Sequence, residues 1–302
     1  MTSLTIFSAP KPFTNPHIAV IQRNAIQSWT KLPDVQIILT GDEAGIADAA
    51  REFGVTHLPD VKRTPSGTPL ISSMFDLARS HSDSPHLCIT NADIILLPDL
   101  LDALKNVSAQ RDRFLLIGQR WDIDIREPLD FSPGWIDRLR SSILRQGLLH
   151  KPAGSDYFLF PRDCYSAIPD LVIGRAGWDN WMIYKARSER WTTIDATADV
   201  MIIHQNHDYS HLPGGRPHYD HPETNENIRL AGGQANIRYT IVDADARLVN
   251  GKIAAPKITG ARIKRGFELL IRKIFSFLPE DTIETIARPQ RWQKRLKKLI
   301  KR

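Results

Sequence analysis

The chain has 302 residues, of which 42% are hydrophobic and 25% charged. This is a globular composition that supplies a sizeable core and excludes a wholly disordered chain, and no apolar run approaches the ~20 residues that span a bilayer. The net charge of +6 is unevenly spread: residues 252–302 hold 15 Lys/Arg against 4 Asp/Glu, and the first 251 hold 25 against 30.

The length suits one large α/β domain with an appendage. Cys88 and Cys164 are the only cysteines, too few for a disulfide framework or a zinc site of their own. The opening MTSLTIFSAP has no basic n-region and no long apolar h-region, so it does not read as a signal peptide. The expected setting is a reducing cytosol.

The first hundred residues alternate strand and helix patterns. Residues 4–8 read as a buried strand, 19–29 as a helix and 35–39 as a second strand closed by Gly41-Asp42-Glu43. A helix over 44–53 stops at Gly54, and 55–58 is a third strand. After a loop over 59–69 come a helix at 70–80 and a strand at 86–90, which runs into Asn91-Ala92-Asp93. Such repetition predicts a sheet with helices on both faces.

Further on, 114–118 reads as a strand and 121–149 as irregular apart from a helix at 135–145. Strands are expected at 157–161, 191–195 and 200–204, with a helix at 178–187. A polar loop over 207–222 follows. The body therefore reads as one domain over residues 1–250.

Residues 251–302 form a separate basic segment. Ile263, Phe267, Leu270, Ile271, Ile274, Phe275 and Leu278 recur at helical spacing among Arg262, Lys264, Arg265, Arg272 and Lys273, until Pro279 breaks the pattern. A second run from Arg291 to Arg302 mixes Trp292, Leu296, Leu299 and Ile300 with basic residues. A helix with apolar and basic faces suits an anionic membrane surface; packing on the body or self-association is the plainer alternative. No nucleic-acid reading motif accompanies the charge, so no nucleic-acid partner is expected.

Ligands of open α/β sheets bind beyond the carboxyl ends of the strands. That rule selects Ser8-Ala9-Pro10, Gly41-Asp42-Glu43, Asn91-Ala92-Asp93 and the loop after Ile203. The sequence contains no GxGxxG, GxxxxGK[ST] or GxSxG motif. A carboxylate ending the fourth strand can hold a divalent cation, and the cation can hold a diphosphate.

In this order, TIFSAPKPF (5–13), GDE (41–43), GTPLISSMF (67–75), TNADIILLPD (90–99), GSDYFLFPR (154–162), GWDNWMIYKAR (177–187) and IHQNHDYSHLPGG (203–215) resemble the GT-A-type glycosyltransferases, and more closely a bacterial and plant group of nucleotide-diphospho-sugar transferases. The resemblance covers residues 5–245 and implies a GT-A-like mixed sheet with helices on both faces. It also implies transfer of a sugar from a nucleotide-sugar donor to a hydroxyl of a glycan or lipid-linked glycan, assisted by Mn²⁺ or Mg²⁺.

The resemblance assigns Asn91-Ala92-Asp93 to the place of the DxD motif. Position 91 is Asn, which leaves Asp93 as the carboxylate facing the metal. A histidine from the His-rich stretch completes that site; five of the ten histidines lie between His204 and His221, and the match supports His204 or His207 without choosing. Gly214-Gly215 suggest a flap over the donor. Ala9 and Pro10 would approach the donor. Asp42 would contact its base or ribose, or else cap a helix. Arg63, with Lys62, would meet phosphate, or else sit in a solvated loop. Asp179 matches the position of the general base of inverting members, with Asp156 as second choice, as acceptor ligand or base. Trp121 and Trp178 are candidates for sugar stacking or for ordinary packing.

A nucleotidyltransferase would need a Gly/Arg-rich loop after the first strand, which Ala9-Pro10-Lys11-Pro12 lacks. The alternative from another class is a non-catalytic nucleotide- or glycan-binding subunit recruited to the membrane by its basic segment. Either reading places the protein in the cytoplasm, peripheral on the inner face of the cell membrane.

Overall fold

The structure is a computed structural model and describes residues 2–153, 155–207 and 221–288. The chain divides into two units, residues 1–256 and 257–302.

The first unit opens on β1 (Leu4–Ser8), buried along its whole length. A strand covered on both faces has no solvent side to mark, which is why LTIFS shows no polar alternation. Helix α1 (Pro16–Thr30) begins where Asn15 accepts a hydrogen bond from the Ile18 amide and Pro16 supplies a preset φ at the first turn. Strand β2 (Val35–Thr40), α2 (Ile46–Phe53), β3 (Thr56–Leu58), α3 (Ile71–Ser80) and β4 (His86–Thr90) complete the alternating half. Then come β5 (Ile94–Ile95), α4 (Asp99–Ser108), β6 (Phe114–Ile117), β7 (Arg120–Ile123), α5 (Trp135–Gln146), β8 (Leu148–Leu149) and β9 (Tyr157–Pro161). The unit closes with α6 (Trp178–Ser188), β10 (Thr192–Asp195), β11 (Ile202–Gln205), α7 (Pro222–Leu230), β12 (Ala246–Val249) and β13 (Lys252–Ala254).

Nine strands form the main sheet in the order β13-β12-β10-β6-β9-β4-β1-β2-β3. It is mixed, because β9 runs antiparallel to β4 and β6, and β13 antiparallel to β12. Successive side chains of a strand face opposite layers. Ile6 and Leu39 join Ala25, Ile26 and Trp29 of α1, Ile46 and Ala50 of α2 and Leu100 and Leu104 of α4. Phe7 and Ile38 join Ile71, Met74 and Phe75 of α3 and Trp178, Met182 and Ile183 of α6. Helices thus cover both faces, as expected from the sequence.

A second sheet, β5-β11-β7-β8, positions the site. In its register His204 lies opposite Ile94 on one side and Asp122 on the other. Ile95, Ile123, Ile203 and, from α5, Leu139 and Ile143 form its apolar layer.

Strands β1, β4 and β9 run over the residues read from the sequence, whereas α4, α7 and five short strands were not read from it. Two- to four-residue strands carry too little periodicity to see. RWDI at 120–123 looks irregular because two of its four residues are charged, and those charges pair with each other in the fold. Asn250 and Gly251 form the turn of the β12–β13 hairpin, so the main sheet extends to Ala254. Of the loop over 207–222, residues 208–220 lie outside the described residues, and so does the proposed Gly214-Gly215 flap.

The second unit contains α8 (Gly260–Ile274) and α9 (Glu280–Ala287). Thr259 caps α8 by accepting from the Arg262 amide. Glu268 is buried and surrounded by guanidinium groups, Arg265 at 3.0 Å, Arg272 at 3.4 Å and Arg288 at 2.8 Å. The second basic run, 291–302, lies outside the described residues. Among the described residues no helix is long and apolar enough to cross a membrane.

Gln205 ends β11 fully buried and links α1 to the strand-end region. Its amide donates to Ile21 O at 2.7 Å and Asp93 O at 3.1 Å and accepts from Asn24 at 3.0 Å. Gln205→Leu strands these groups, and we expect a loss of about 1–3 kcal/mol of stability, read as a shift of the denaturation midpoint.

Candidate active site

The carboxyl ends of β1, β2 and β4 are tied by their own polar side chains. Thr40 donates to Ser8 O at 3.2 Å, and Ser8 donates to Thr90 O at 2.7 Å. Beyond β4 the chain turns at once, with the Ile94 amide bonded to Asn91 O at 3.2 Å. This turn aims the Asp93 side chain at β11.

Asp93, His204 and His207 meet there. One ligand atom from each lies within 4.8 Å of the others. His207 Nε2 is 3.0 Å from Asp93 Oδ2, and His204 Nε2 is 4.0 Å from the same oxygen. Both histidines therefore lie beside Asp93. Lys11 brings a cation alongside, its Nζ 3.4 Å from His207 Nε2. The loop that carries Lys11 is held by buried Gln22, which accepts from the Lys11 amide at 2.6 Å and donates to its carbonyl at 2.9 Å.

Burial opposes charge on Asp93, but the hydrogen bond from His207 and the nearby His204 and Lys11 outweigh it and hold the carboxyl well below the usual range. It is a committed anion. Burial pulls the Lys11 ammonium down, with Asp93 offsetting part of that.

His204 is oriented by Asp122, which accepts from Nδ1 at 3.0 Å. With the proton on Nδ1, the Nε2 lone pair faces Asp93. This is the arrangement by which a carboxylate fixes the tautomer of a metal-binding histidine. Asp122 also pairs with Arg120 at 2.8 Å and His150 at 2.6 Å. Burial works against its charge, and the hydrogen bonds from His204 and His150 together with Arg120 lower it.

A divalent cation fits these residues. Asp93 Oδ1 is buried and has no hydrogen-bond partner among the described residues, so one lone-pair site is uncommitted. Two imidazole nitrogens and a carboxylate form a donor set suited to Mn²⁺ and less so to the harder Mg²⁺.

The other expected residues are distributed as follows. Asn91 does not face the cluster; its amide donates to Asp156 Oδ1 at 2.8 Å. Asp156 is gripped further by Arg120 Nη1, 2.8 and 2.9 Å from its two oxygens. These contacts anchor the Asp156 carboxylate beside Arg120. Asp179 starts α6 beside Gly177, whose φ of +105° lets the chain enter the helix with Ile237 packed above it. Burial pushes the Asp179 carboxyl up to about 6, helped by the Asp156 charge and only partly offset by backbone N–H groups at the helix start.

Arg63 does not stand free for phosphate: it pairs with Glu43 at 2.7 Å and with Asp42, and donates to Gly67 O at 2.8 Å. Asp42 is exposed and is not a helix cap, since Gly45 occupies that position without a side-chain bond. Lys62 is exposed, while Ala9 and Pro10 lie at the end of β1, half-buried and buried. Trp178 is only 5% exposed and packs on Phe158 with ring centroids 5.4 Å apart, so it is not a sugar platform. Trp121 is half-buried against the second sheet's apolar layer.

Arg120, Asp122, His150 and Lys11 were missed from the sequence. The available signal was Arg120 and Asp122 two apart, on one face of a strand.

No protein-family model and no curated protein matches the sequence. Among solved structures the chain is similar to S. aureus TarS 1-349 in complex with UDP-GlcNAc, at 11% identity and a TM-score of 0.49 over 92% of this chain and 73% of that one. It is similar to the mannosyltransferase PcManGT from Pyrobaculum calidifontis in complex with GDP-Man and Mn²⁺, at 11% identity and a TM-score of 0.45 over 78% and 67%. It is also similar to glucosyl-3-phosphoglycerate synthase from Mycobacterium tuberculosis in complex with Mg²⁺ and UDP, at 11% identity and 0.45 over 85% and 87%.

Asp122→Asn takes from His204 the partner that fixes its tautomer. We expect Mn²⁺ affinity, measured by titration calorimetry on the nucleotide-free protein, to fall roughly 10–100-fold, with far-UV circular dichroism unchanged. An unaltered affinity would remove Asp122 from the site.

Proposed function

We propose that the protein transfers a sugar from a nucleotide-diphosphate sugar to a hydroxyl of a glycan or lipid-linked glycan, with inversion at the anomeric carbon. The observation that carries this reading is two carboxyl groups with opposed environments, each within electrostatic reach of the Arg120–Asp156 pair. Asp93 is held as an anion beside two histidines, and Asp179 is raised to about 6 at the start of α6. Groups whose pKa values are pushed apart in one site divide the work of acid–base chemistry.

Asp93, His204 and His207 would hold the divalent cation, Mn²⁺ by preference. When bound, it supplies positive charge to the diphosphate oxygens and eases departure of the nucleotide. Lys11 adds a protein cation next to that place, suited to a phosphate oxygen. Asp179 takes the proton of the acceptor hydroxyl. The acceptor oxygen then forms its bond to the anomeric carbon as the bond from that carbon to the phosphate oxygen breaks. The electron pair leaves with the nucleoside diphosphate, and the proton remains on Asp179 until it passes to solvent.

Asp156, fixed by Arg120 and Asn91, keeps a negative charge near Asp179 and helps to hold the base's pKa up. Asp42 and Glu43, at the end of β2 with Arg63 between them, form the edge suited to the base or ribose of the donor.

Calorimetric titration with UDP, GDP and CDP, with and without Mn²⁺, tests the donor site. One nucleotide should bind only with the metal, and Asp93→Ala should abolish that binding. Absence of binding to all three would end the donor reading, and binding without turnover of any nucleotide sugar would favour the non-catalytic subunit.

The base makes a separate prediction. Its carboxylate form accumulates as pH rises through about 6, so kcat/KM should rise over that range and level off above it. Asp179→Asn should lower kcat by about 10²–10⁴-fold. A raised carboxyl pKa means that the fold binds this proton more tightly than the unfolded chain does. The Asp179 contribution is therefore fully favourable below the unfolded value of 3.8 and is lost as pH rises through about 6. The asparagine variant should accordingly be more stable at pH 7, by roughly 1–3 kcal/mol. A variant that is inactive and also less stable would point to a structural role.

A further inference from the structure

We propose that α8 is an in-plane membrane anchor whose apolar stripe enters an anionic lipid surface. The argument concerns residues 257–288 alone.

Ile263, Phe267, Leu270 and Ile274 stand at spacings of four, three and four and form one stripe along α8. They are 64%, 65%, 51% and 55% exposed. Phe277, just beyond the helix, is 76% exposed. A folded unit ordinarily hides such a stripe. Here the interior position goes to a charge instead: Glu268, 6% exposed, within 3.4 Å of Arg265, Arg272 and Arg288.

Glu268 is the single acid of α8. Burial opposes its charge, and Arg288, Arg265 and Arg272 outweigh that and keep its carboxyl low. The single negative charge of α8 is thereby neutralised and withdrawn from the surface, leaving Lys264 and Lys273 exposed on the same helix as the stripe. The Arg288 contact also ties the residue after α9 to α8 through Glu268.

The occupant follows from charge and shape. A helix that shows apolar side chains in a row, with cations beside them and no exposed acid, complements a surface that is apolar within and negative at its boundary, which is an anionic bilayer. A second copy of the stripe would satisfy the apolar part but would set cation against cation.

This inference deepens the glycosyl-transfer reading, since it places the enzyme beside lipid-linked acceptors. It is tested without any sugar, so its failure would leave that reading standing. The full chain is sedimented with vesicles of phosphatidylcholine alone and of phosphatidylcholine with phosphatidylglycerol, at low and high salt. We expect binding to the anionic vesicles at least tenfold tighter than to the neutral ones and weakened by salt. Phe267→Ser/Leu270→Ser should reduce it at least tenfold, and Arg262→Gln/Lys264→Gln/Lys273→Gln should weaken the preference for anionic lipid. Circular dichroism checks that the variants fold, and a fluorescence shift from Phe267→Trp on vesicle addition reports insertion independently. Equal binding to both vesicle types, an unaltered serine variant, or a wild-type dimer that the serine changes dissolve without any vesicle binding would each overturn the proposal.

Discussion

Arg120 holds the candidate site together, because three carboxylates cannot share a partly buried region without cations between them. Asp156 comes from the main sheet and Asp122 from the second sheet, and Arg120 bonds to both. Removing a buried ionic partner leaves the other charges uncompensated, which costs more than the pair itself contributes. The two sheets are therefore tied electrostatically at the point where chemistry is proposed. The rest of the arrangement follows from that tie. With Asp122 fixed, His204 presents Nε2 toward Asp93. With Asp156 fixed, its partner Asn91 is held in place and the negative potential at Asp179 is set.

This explains which parts of the site were legible in the sequence. Asp93 and Asp179 were visible because each directly follows or begins a strongly patterned element, a strand of continuous apolar residues and a helix opened by Gly177. Both histidines of the cluster were visible as candidates. What sorts them is register: β11 pairs with β5 and β7 so that His204 lies across from Asp122, and pairing partners more than eighty residues apart leave no local trace. Arg120 and Asp122 were hidden because their strand is four residues long and buries its charges against each other, which reads as a polar loop. Asp42 and Arg63 show the converse. Each is a plausible ligand residue alone, and only the fold shows that they satisfy one another first.

Fold-level legibility followed burial in the same way. Strands covered on both faces, β1, β4 and β9, run as unbroken apolar stretches. The helix at 99–108 was overlooked although Leu100, Ala103, Leu104 and Val107 mark its buried face, because Asp99 reads as the end of the preceding acidic motif. Asp99 does serve the helix start, but its carboxylate also accepts from the Met201 amide at 3.1 Å and pairs with Arg140 at 2.9 Å. One residue thus connects three segments that the sequence presents as unrelated.

Asparagine at position 91 has a consequence for charge. Two carboxylates facing a divalent cation would cancel it and leave the diphosphate little net field. In the proposed reaction Asp93 would be the single carboxylate on the cation, which would keep about one positive charge there, and Lys11 lies beside that place. On that proposal the site would bind a free cation less strongly than a cation together with its nucleotide diphosphate, since the phosphate oxygens would supply the missing anionic ligands. On this argument the asparagine is a redistribution rather than a defect. Asn91 holds Asp156, and in the proposed reaction the neutralising charge at the cation would come from the donor, where charge accumulates as the sugar departs.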